Sequence, residues 1–154
     1  MSIIQASPAD FETVKAITAE TIRTVYPHYY PAGAVAYFLA HHSDSNIARD
    51  IADGCVYLYR DAEGRAAGTV TVCGNELNRL FVLPAFQGKG YGRELLDFAE
   101  SRILSEYPAV VLSASFPAKQ IYLNRGYQTE SYHKIETPEG DFLCYDEMVK
   151  KSLN

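Results

Sequence analysis

An excess of basic residues is missing. The formal net charge is -5 and the isoelectric point about 5.3, which argues against a nucleic-acid surface and means that any anionic ligand must be held by local groups. Cysteines are few, and Cys55, Cys73 and Cys144 form no close-spaced pair. No metal site is expected, and an odd number of thiols without a signal-peptide pattern points to a reduced, cytoplasmic setting in which they serve as packing residues. Long hydrophobic runs are lacking as well: the longest, Ala32 to Ala40, is too short to cross a bilayer, so no membrane association is expected. Repeats and low-complexity tracts are also missing. What is there is a chain of 154 residues with 47% hydrophobic content, long enough to bury a core as a single domain over 1–154 without metal or disulfide staples.

The most informative stretch is Leu77 to Glu100, LNRLFVLPAFQGKGYGRELLDFAE. Leu77, Phe81 and Val82 favour a strand that Pro84 ends, while Leu95, Leu96, Ala99 and Ile103 recur at helical spacing beyond it. Between them lies Gln87-Gly88-Lys89-Gly90-Tyr91-Gly92. Glycines at three of those positions remove the β-carbons that would keep a ligand from the backbone. Consecutive N–H groups can then converge on an anion at the positive end of the helix, with Lys89 and Arg93 adding charge.

Two familiar phosphate motifs do not fit. A Walker loop needs an earlier glycine and a Ser or Thr after its lysine, whereas Lys89 is followed by Gly90. The dinucleotide fingerprint needs a third glycine where this chain has Arg93, and an acidic residue near the end of the next strand, where Ala109 to Ser115 has none. The alternative to a phosphate cradle is a glycine-rich turn with no ligand.

Along the rest of the chain, Ser2 to Ala6 reads as a strand, and Ser7-Pro8-Ala9-Asp10 as a helix start. Phe11, Val14, Ile17, Thr21, Ile22 and Val25 then keep helical spacing until Tyr26-Pro27. The aromatic segment Tyr26-Pro27-His28-Tyr29-Tyr30-Pro31 suits either a pocket wall or a surface loop packed by its own rings. A second helix is expected over about 33–42. Ser45 is expected to cap a third helical segment that carries Ile47 and Ile51 and ends at Gly54. His41 and His42 lie near a helix end, where histidines more often cap carbonyls or face water than act on a substrate. Strands follow at 55–59, 66–73 and 76–83, then a helix to about Glu106, a strand over 109–115 and a helix from Phe116-Pro117 to Arg125-Gly126. Strands at 127–135 and 142–149 complete the order. The fold class is thus α/β in the α+β sense, a mixed sheet with helices on both faces.

Gln-x-x-Gly-x-Gly after a strand reading Leu-Phe-Val-x-Pro resembles the acyl-CoA-binding signature of the GNAT superfamily of N-acyltransferases, and the element order is similar to that fold over essentially the whole chain. The resemblance implies a largely antiparallel seven-stranded sheet whose fourth strand is bulged and splays from the fifth. It places Leu80, Phe81 and Val82 against the pantetheine arm and thioester, with the backbone N–H of Phe81 or Val82 available to an oxyanion, and Gln87, Gly88, Lys89, Gly90, Tyr91, Gly92 and Arg93 at the pyrophosphate. Tyr122-Leu123-Asn124-Arg125-Gly126-Tyr127 is similar to the family's Tyr-x-x-x-Gly-aromatic ending, which puts Tyr122 in the thiolate proton donor's place. Ser115 stands where many members have an asparagine that touches the pantetheine.

The implied activity is transfer of an acetyl group from acetyl-CoA to a primary amine by direct attack in a ternary complex, with no metal. The acceptor is a small-molecule or peptide amine, and the protein a monomer or homodimer. An acyl-CoA sensor without turnover, or transfer of a larger acyl group, are the alternatives. An amine with a pKa of about 10.4 is neutral in only ~1 part in 2,500 at pH 7, a handicap of roughly 4.6 kcal/mol that a base or a desolvating site must offset. Glu76 matches the position of the catalytic glutamate in some members. Otherwise it is a surface carboxylate at a strand end, and other residues or a water chain serve. Tyr122 is by default a core residue and becomes a donor through the family match. Full proton transfer from a phenol to a thiolate is uphill by roughly 2 kcal/mol on ordinary pKa values, so its expected role is hydrogen-bond donation to developing charge.

Overall fold

The structure, a computed structural model, describes residues 1–153. Its elements are β1 (Ser2–Gln5), α1 (Phe11–Val25), α2 (Ala32–His41), α3 (Asp44–Ala52), β2 (Val56–Arg60), β3 (Ala66–Cys73), β4 (Glu76–Val82), α4 (Tyr91–Leu104), β5 (Ala109–Ala114), α5 (Phe116–Asn124), β6 (Gln128–Glu136) and β7 (Phe142–Lys151). One seven-stranded sheet runs in the order β1-β2-β3-β4-β5-β7-β6, antiparallel throughout except between β4 and β5. The mixed sheet expected from the sequence is therefore present.

Strand β2 shows why both faces are covered. Val56 and Leu58 pack with residues of α1 and α3, whereas Tyr57 and Tyr59 pack with residues of α4. Successive strand side chains point to opposite faces, so a strand sandwiched between helices has no polar side and shows no alternation. The helical stripe of α4 buries Leu95, Leu96 and Ile103 against the sheet, each contributing roughly 1.5–3 kcal/mol by removal from water.

The start of α3 corrects one sequence expectation. Ser43, not Ser45, is the cap: it has the extended backbone (φ -68°, ψ 163°) that a cap requires, and its Oγ accepts the N–H of Asn46 at 3.3 Å. Ser45 already lies in the first helical turn, where its side chain meets only the Ser43 hydroxyl.

Strand β4 is irregular where the site will form. Asn78 faces Thr71 and Phe81 faces Thr69, so Arg79 and Leu80 together oppose Val70, a two-against-one bulge. Arg79 takes a left-handed φ of 49° there, at a strain of about 1–2 kcal/mol. Tertiary contacts hold it: Nη2 lies 3.0 Å from Asp50 of α3, and Nη1 donates to Thr71 Oγ1 at 3.0 Å. On its other edge β4 meets β5 through a single register pair, Glu76 with Val111. Beyond it the strands part, leaving that edge of β4 without a strand partner.

Helix α2 is moored far from its sequence neighbours. The Gly33 N–H donates to Asp141 Oδ2 at 2.8 Å, in the turn between β6 and β7, and Thr137 Oγ1 donates to the other carboxylate oxygen. A β-carbon at residue 33 would collide with both oxygen-bearing side chains, so glycine is what allows the helix to approach.

Candidate active site

The parting of β4 and β5 opens two cavities that meet. A groove of about 640 Å3 runs along β4, the glycine turn and α5. A cleft of about 200 Å3 lies on the other side, under α2 and against β4 and β7. Tyr26, Leu80, Phe81, Ser115, Ala118 and Tyr122 line both. The two cavities therefore share a wall, to which Tyr122 belongs.

In the groove, Gly88 and Gly90 have φ of 79° and 86°, values that ordinary side chains resist. Gly90 is the residue before α4, and the first helical bond runs from Glu94 N–H to its carbonyl at 3.1 Å. The N–H groups of Tyr91, Gly92 and Arg93 have no acceptor among the described residues, and they open at the positive end of the helix. This suits a phosphate. Arg93 has no carboxylate partner among the described residues and folds back toward Gly90. A β-carbon on Gly92 would make only ordinary contact with Val82, so at that position the protein itself leaves space.

The loop residues differ in what their side chains do. Val82, Gln87, Gly88, Gly90, Tyr91 and Arg93 line the groove. The Gln87 amide is engaged within the protein, donating to the Val82 carbonyl at 2.9 Å and fastening the turn to the end of β4. Lys89 does not line the groove; its ammonium sits over the Phe86 ring, 5.5 Å from the centroid. Tyr91 stacks on Tyr59 at 4.5 Å, whose hydroxyl donates to Glu94 at 2.8 Å, so α4 is pinned at its first turn.

Tyr122 is 6% exposed, and its hydroxyl has no hydrogen-bond partner among the described residues. Burial raises its pKa, helped by Tyr26 and Glu100 and opposed by Arg125, so at neutral pH it is a protonated donor. Its ring meets Tyr127 edge-on at 5.3 Å, and the Tyr127 hydroxyl donates to Glu100 Oε1 at 2.9 Å. Glu100 also receives Arg125 at 2.8 Å and Lys150 at 3.1 Å. Burial alone would raise this carboxyl; the hydrogen bonds from Arg125, Lys150 and Tyr127 bring it below the ordinary range. This hub joins α4, the end of α5 and β7 beneath Tyr122.

The aromatic segment after α1 is both pocket wall and brace. Tyr26 and Tyr30 are buried and Tyr29 is exposed. The Tyr26 phenol has its pKa raised by burial, a rise that the nearby Ser115 hydroxyl opposes. The Tyr30 oxygen accepts the N–H of Phe116 at 2.6 Å, and the two rings stack at 5.0 Å. Ser115, at the cap position of α5, makes no side-chain cap bond of its own.

The cleft holds Glu76, exposed at its edge, together with Arg79 and two histidines that sequence reasoning had weighted lightly. His42 packs edge-on against Phe81 at 5.7 Å, and its pKa falls to about 3 through burial and the nearby Arg79 and His41 charges. His42 Nδ1 is buried without a partner among the described residues. Its only sequence signal was position at a helix end. Arg79 had a clearer one: the one cation of β4, directly before the apolar Leu80, Phe81 and Val82. Among the described residues no cluster of side chains suits a metal ion, and no helix is long and apolar enough to cross a membrane.

A mixed sheet opened between β4 and β5, with a glycine-turned helix N-terminus at the end of the open strand, defines the acyl-CoA N-acyltransferase class of fold. The sequence matches the family described as Acetyltransferase (GNAT) domain over residues 25–138, and the chain belongs to the GNAT acetyltransferase family, whose members use acetyl-CoA and acetylate amines. No curated protein matches the sequence. Among solved structures, a GCN5-related N-acetyltransferase from Rhodopseudomonas palustris is similar with a TM-score of 0.84 at 20% identity, over 98% of this chain and 95% of that one. The PaiA N-acetyltransferase of Thermoplasma acidophilum, solved with coenzyme A, has a TM-score of 0.74 at 20% identity over 98% of each chain. The ribosomal-protein-S18-alanine N-acetyltransferase of Escherichia coli has 0.71 at 17% identity, over 97% of this chain and 92% of that one. At these identities the likeness is one of fold.

Proposed function

We propose that residues 1–154 act as a single domain that transfers the acetyl group of acetyl-CoA to a primary amine by direct attack in a ternary complex. The observation that carries the reading is the wall that groove and cleft share, which includes Tyr122, with Glu76 in the cleft. The bound thioester supplies the activated acetyl group. The N–H groups at the start of α4 and the free Arg93 hold its pyrophosphate, and the edge of β4 from Leu80 to Val82, which has no strand partner, binds the arm and directs the acyl carbon toward the cleft. Ser115 makes its contact through a hydroxyl, in place of the longer amide found in many family members.

Glu76 takes the proton that the acceptor ammonium must lose, directly or through water. Tyr122 donates from the opposite side to the sulfur as negative charge develops there; buried and unpartnered, it gives up no other hydrogen bond to do so. Among the described residues no cysteine lines either cavity, which supports direct attack over a covalent relay.

The test is release of free thiol from acetyl-CoA across a panel of amines, with coenzyme A binding followed calorimetrically. Thiol release that depends on an amine is expected. Tight coenzyme A binding without amine-dependent release would identify an acyl-CoA sensor instead.

A further inference from the structure

The cleft carries a charge pattern that selects among amines, an inference that rests on the transferase reading above. Besides its two histidines, its charged lining consists of one cation and one carboxylate. The cation, Arg79, is already committed: its side chain is 3% exposed, one end lies 3.0 Å from Asp50 and the same guanidinium donates to Thr71. Its Nε has no partner among the described residues but is itself buried, so the guanidinium presents no exposed donor to a ligand carboxylate. Glu76 is the reverse case, an exposed carboxylate with no ion-pair partner among the described residues. His42 stays neutral, held well below its usual pKa by burial and by Arg79. His41 stacks on Tyr37 at the exposed end of α2. The remaining walls combine six rings, from Tyr26, Tyr37, Phe38, Phe81, Tyr122 and Tyr145, with aliphatic side chains and the uncharged polar Asn78, Ser113 and Ser115. The volume, about 200 Å3, is below the roughly 300–1,000 Å3 of drug-sized sites.

We infer that the acceptor is a small primary monoamine with an apolar, preferably aromatic, body and no carboxylate, so that amino acids and polyamines are excluded. The ammonium sits toward Glu76 and the body packs among the rings. An α-carboxylate entering with it would be brought near Glu76 in a partly desolvated cleft with no uncommitted cation to receive it, a like-charge repulsion that works as specificity. A second ammonium on a polyamine would find no second free carboxylate.

Three probes that share one ring separate charge from size: 2-phenylethylamine, phenylalaninamide and phenylalanine, assayed by acetyl-CoA-dependent thiol release, with spermidine as a fourth. The expected order puts phenylethylamine and phenylalaninamide within about tenfold of each other in kcat/KM and phenylalanine at least about 100-fold below both, with spermidine also poor. In Glu76→Gln, absolute rates fall, but the gap between phenylalaninamide and phenylalanine narrows by about tenfold, a change in ratio that a structural role of Glu76 would not produce. Phenylalanine or spermidine turned over as well as phenylethylamine overturns the inference while leaving the transferase reading intact. A carboxamide as poor as the acid also overturns it, since the exclusion is then one of size. If no amine in a broad panel supports thiol release, the transferase reading falls and this inference falls with it.

Discussion

The Tyr30 phenolic oxygen accepts the backbone N–H of Phe116 at 2.6 Å across 86 residues of sequence. The first N–H groups of a helix need partners from outside it, and here the partner comes from the segment that also walls the cleft. The helix carrying Tyr122 and the cleft wall are thereby held in one arrangement.

Tyr30→Phe keeps the ring that stacks on Phe116 and removes the acceptor. Stability should fall by about 1 kcal/mol, read as a lower urea midpoint at unchanged slope. Turnover should drop several-fold while coenzyme A affinity holds. Wild-type turnover in this variant would mean that Tyr30 does not position Tyr122.

Gly90→Val should act on fold and ligand together. A β-branched residue at φ 86° costs on the order of 1–2 kcal/mol, and its side chain stands at the mouth of the N–H cradle. Thermal melting should show the first effect. Calorimetry should show coenzyme A binding weakened by at least about tenfold, well beyond what strain alone removes; unchanged affinity in the folded variant would take the glycine turn out of the pyrophosphate site.

Glu76→Gln should lower turnover most near neutral pH and least near the pKa of the amine, about 10, where the acceptor loses its proton unaided. A loss of equal size at every pH would assign Glu76 a structural part in place of a base.

Tyr122→Phe retains the ring contact with Tyr127 and removes only the hydroxyl. Stability and acetyl-CoA affinity should change little, while turnover falls by about tenfold to a thousandfold where chemistry limits the rate. Undiminished turnover under those conditions would return Tyr122 to the core.

Glu100→Gln tests the hub beneath it. The Glu100 pKa is lowered in the folded protein, so its contribution is full above the unfolded carboxyl pKa, about 4.3, and disappears as pH falls through the folded value. At pH 7 the variant should be less stable by about 3 kcal/mol, because Lys150 and Arg125 lose a buried counter-charge. The difference should shrink toward zero as pH drops below about 4. A constant difference across that range would make the effect one of shape rather than charge.

Local signals in the sequence were legible. Strand, glycine turn and helix from Leu77 to Glu100 are written in periodicity and in residues with special backbone freedom, and the structure has all three. The splay of β4 from β5 came through the family resemblance, since nothing in the residues of β5 announces a strand that pairs only at its start. What could not be read were relationships across long separations. Tyr26 with Ser115, Tyr30 with Phe116 and Arg79 with Asp50 depend on how layers stack, and a single sequence does not record that. Side-chain direction was equally hidden: Lys89 sits among the loop glycines, yet its ammonium goes to Phe86. Ser43 and Ser45 are chemically interchangeable as caps, and only the backbone decides between them.

The mooring of Gly33 on Asp141 and Thr137 makes two distant stretches a single inheritable module. Helix α2 carries Tyr37, Phe38 and His41 into the cleft, but its starting point is set by the hairpin turn. Grafting an α2 from a relative to change the accepted amine would transplant half of a joint. Recombination experiments should therefore exchange 32–42 and 137–141 together, and libraries that vary the helix should hold residue 33 as glycine.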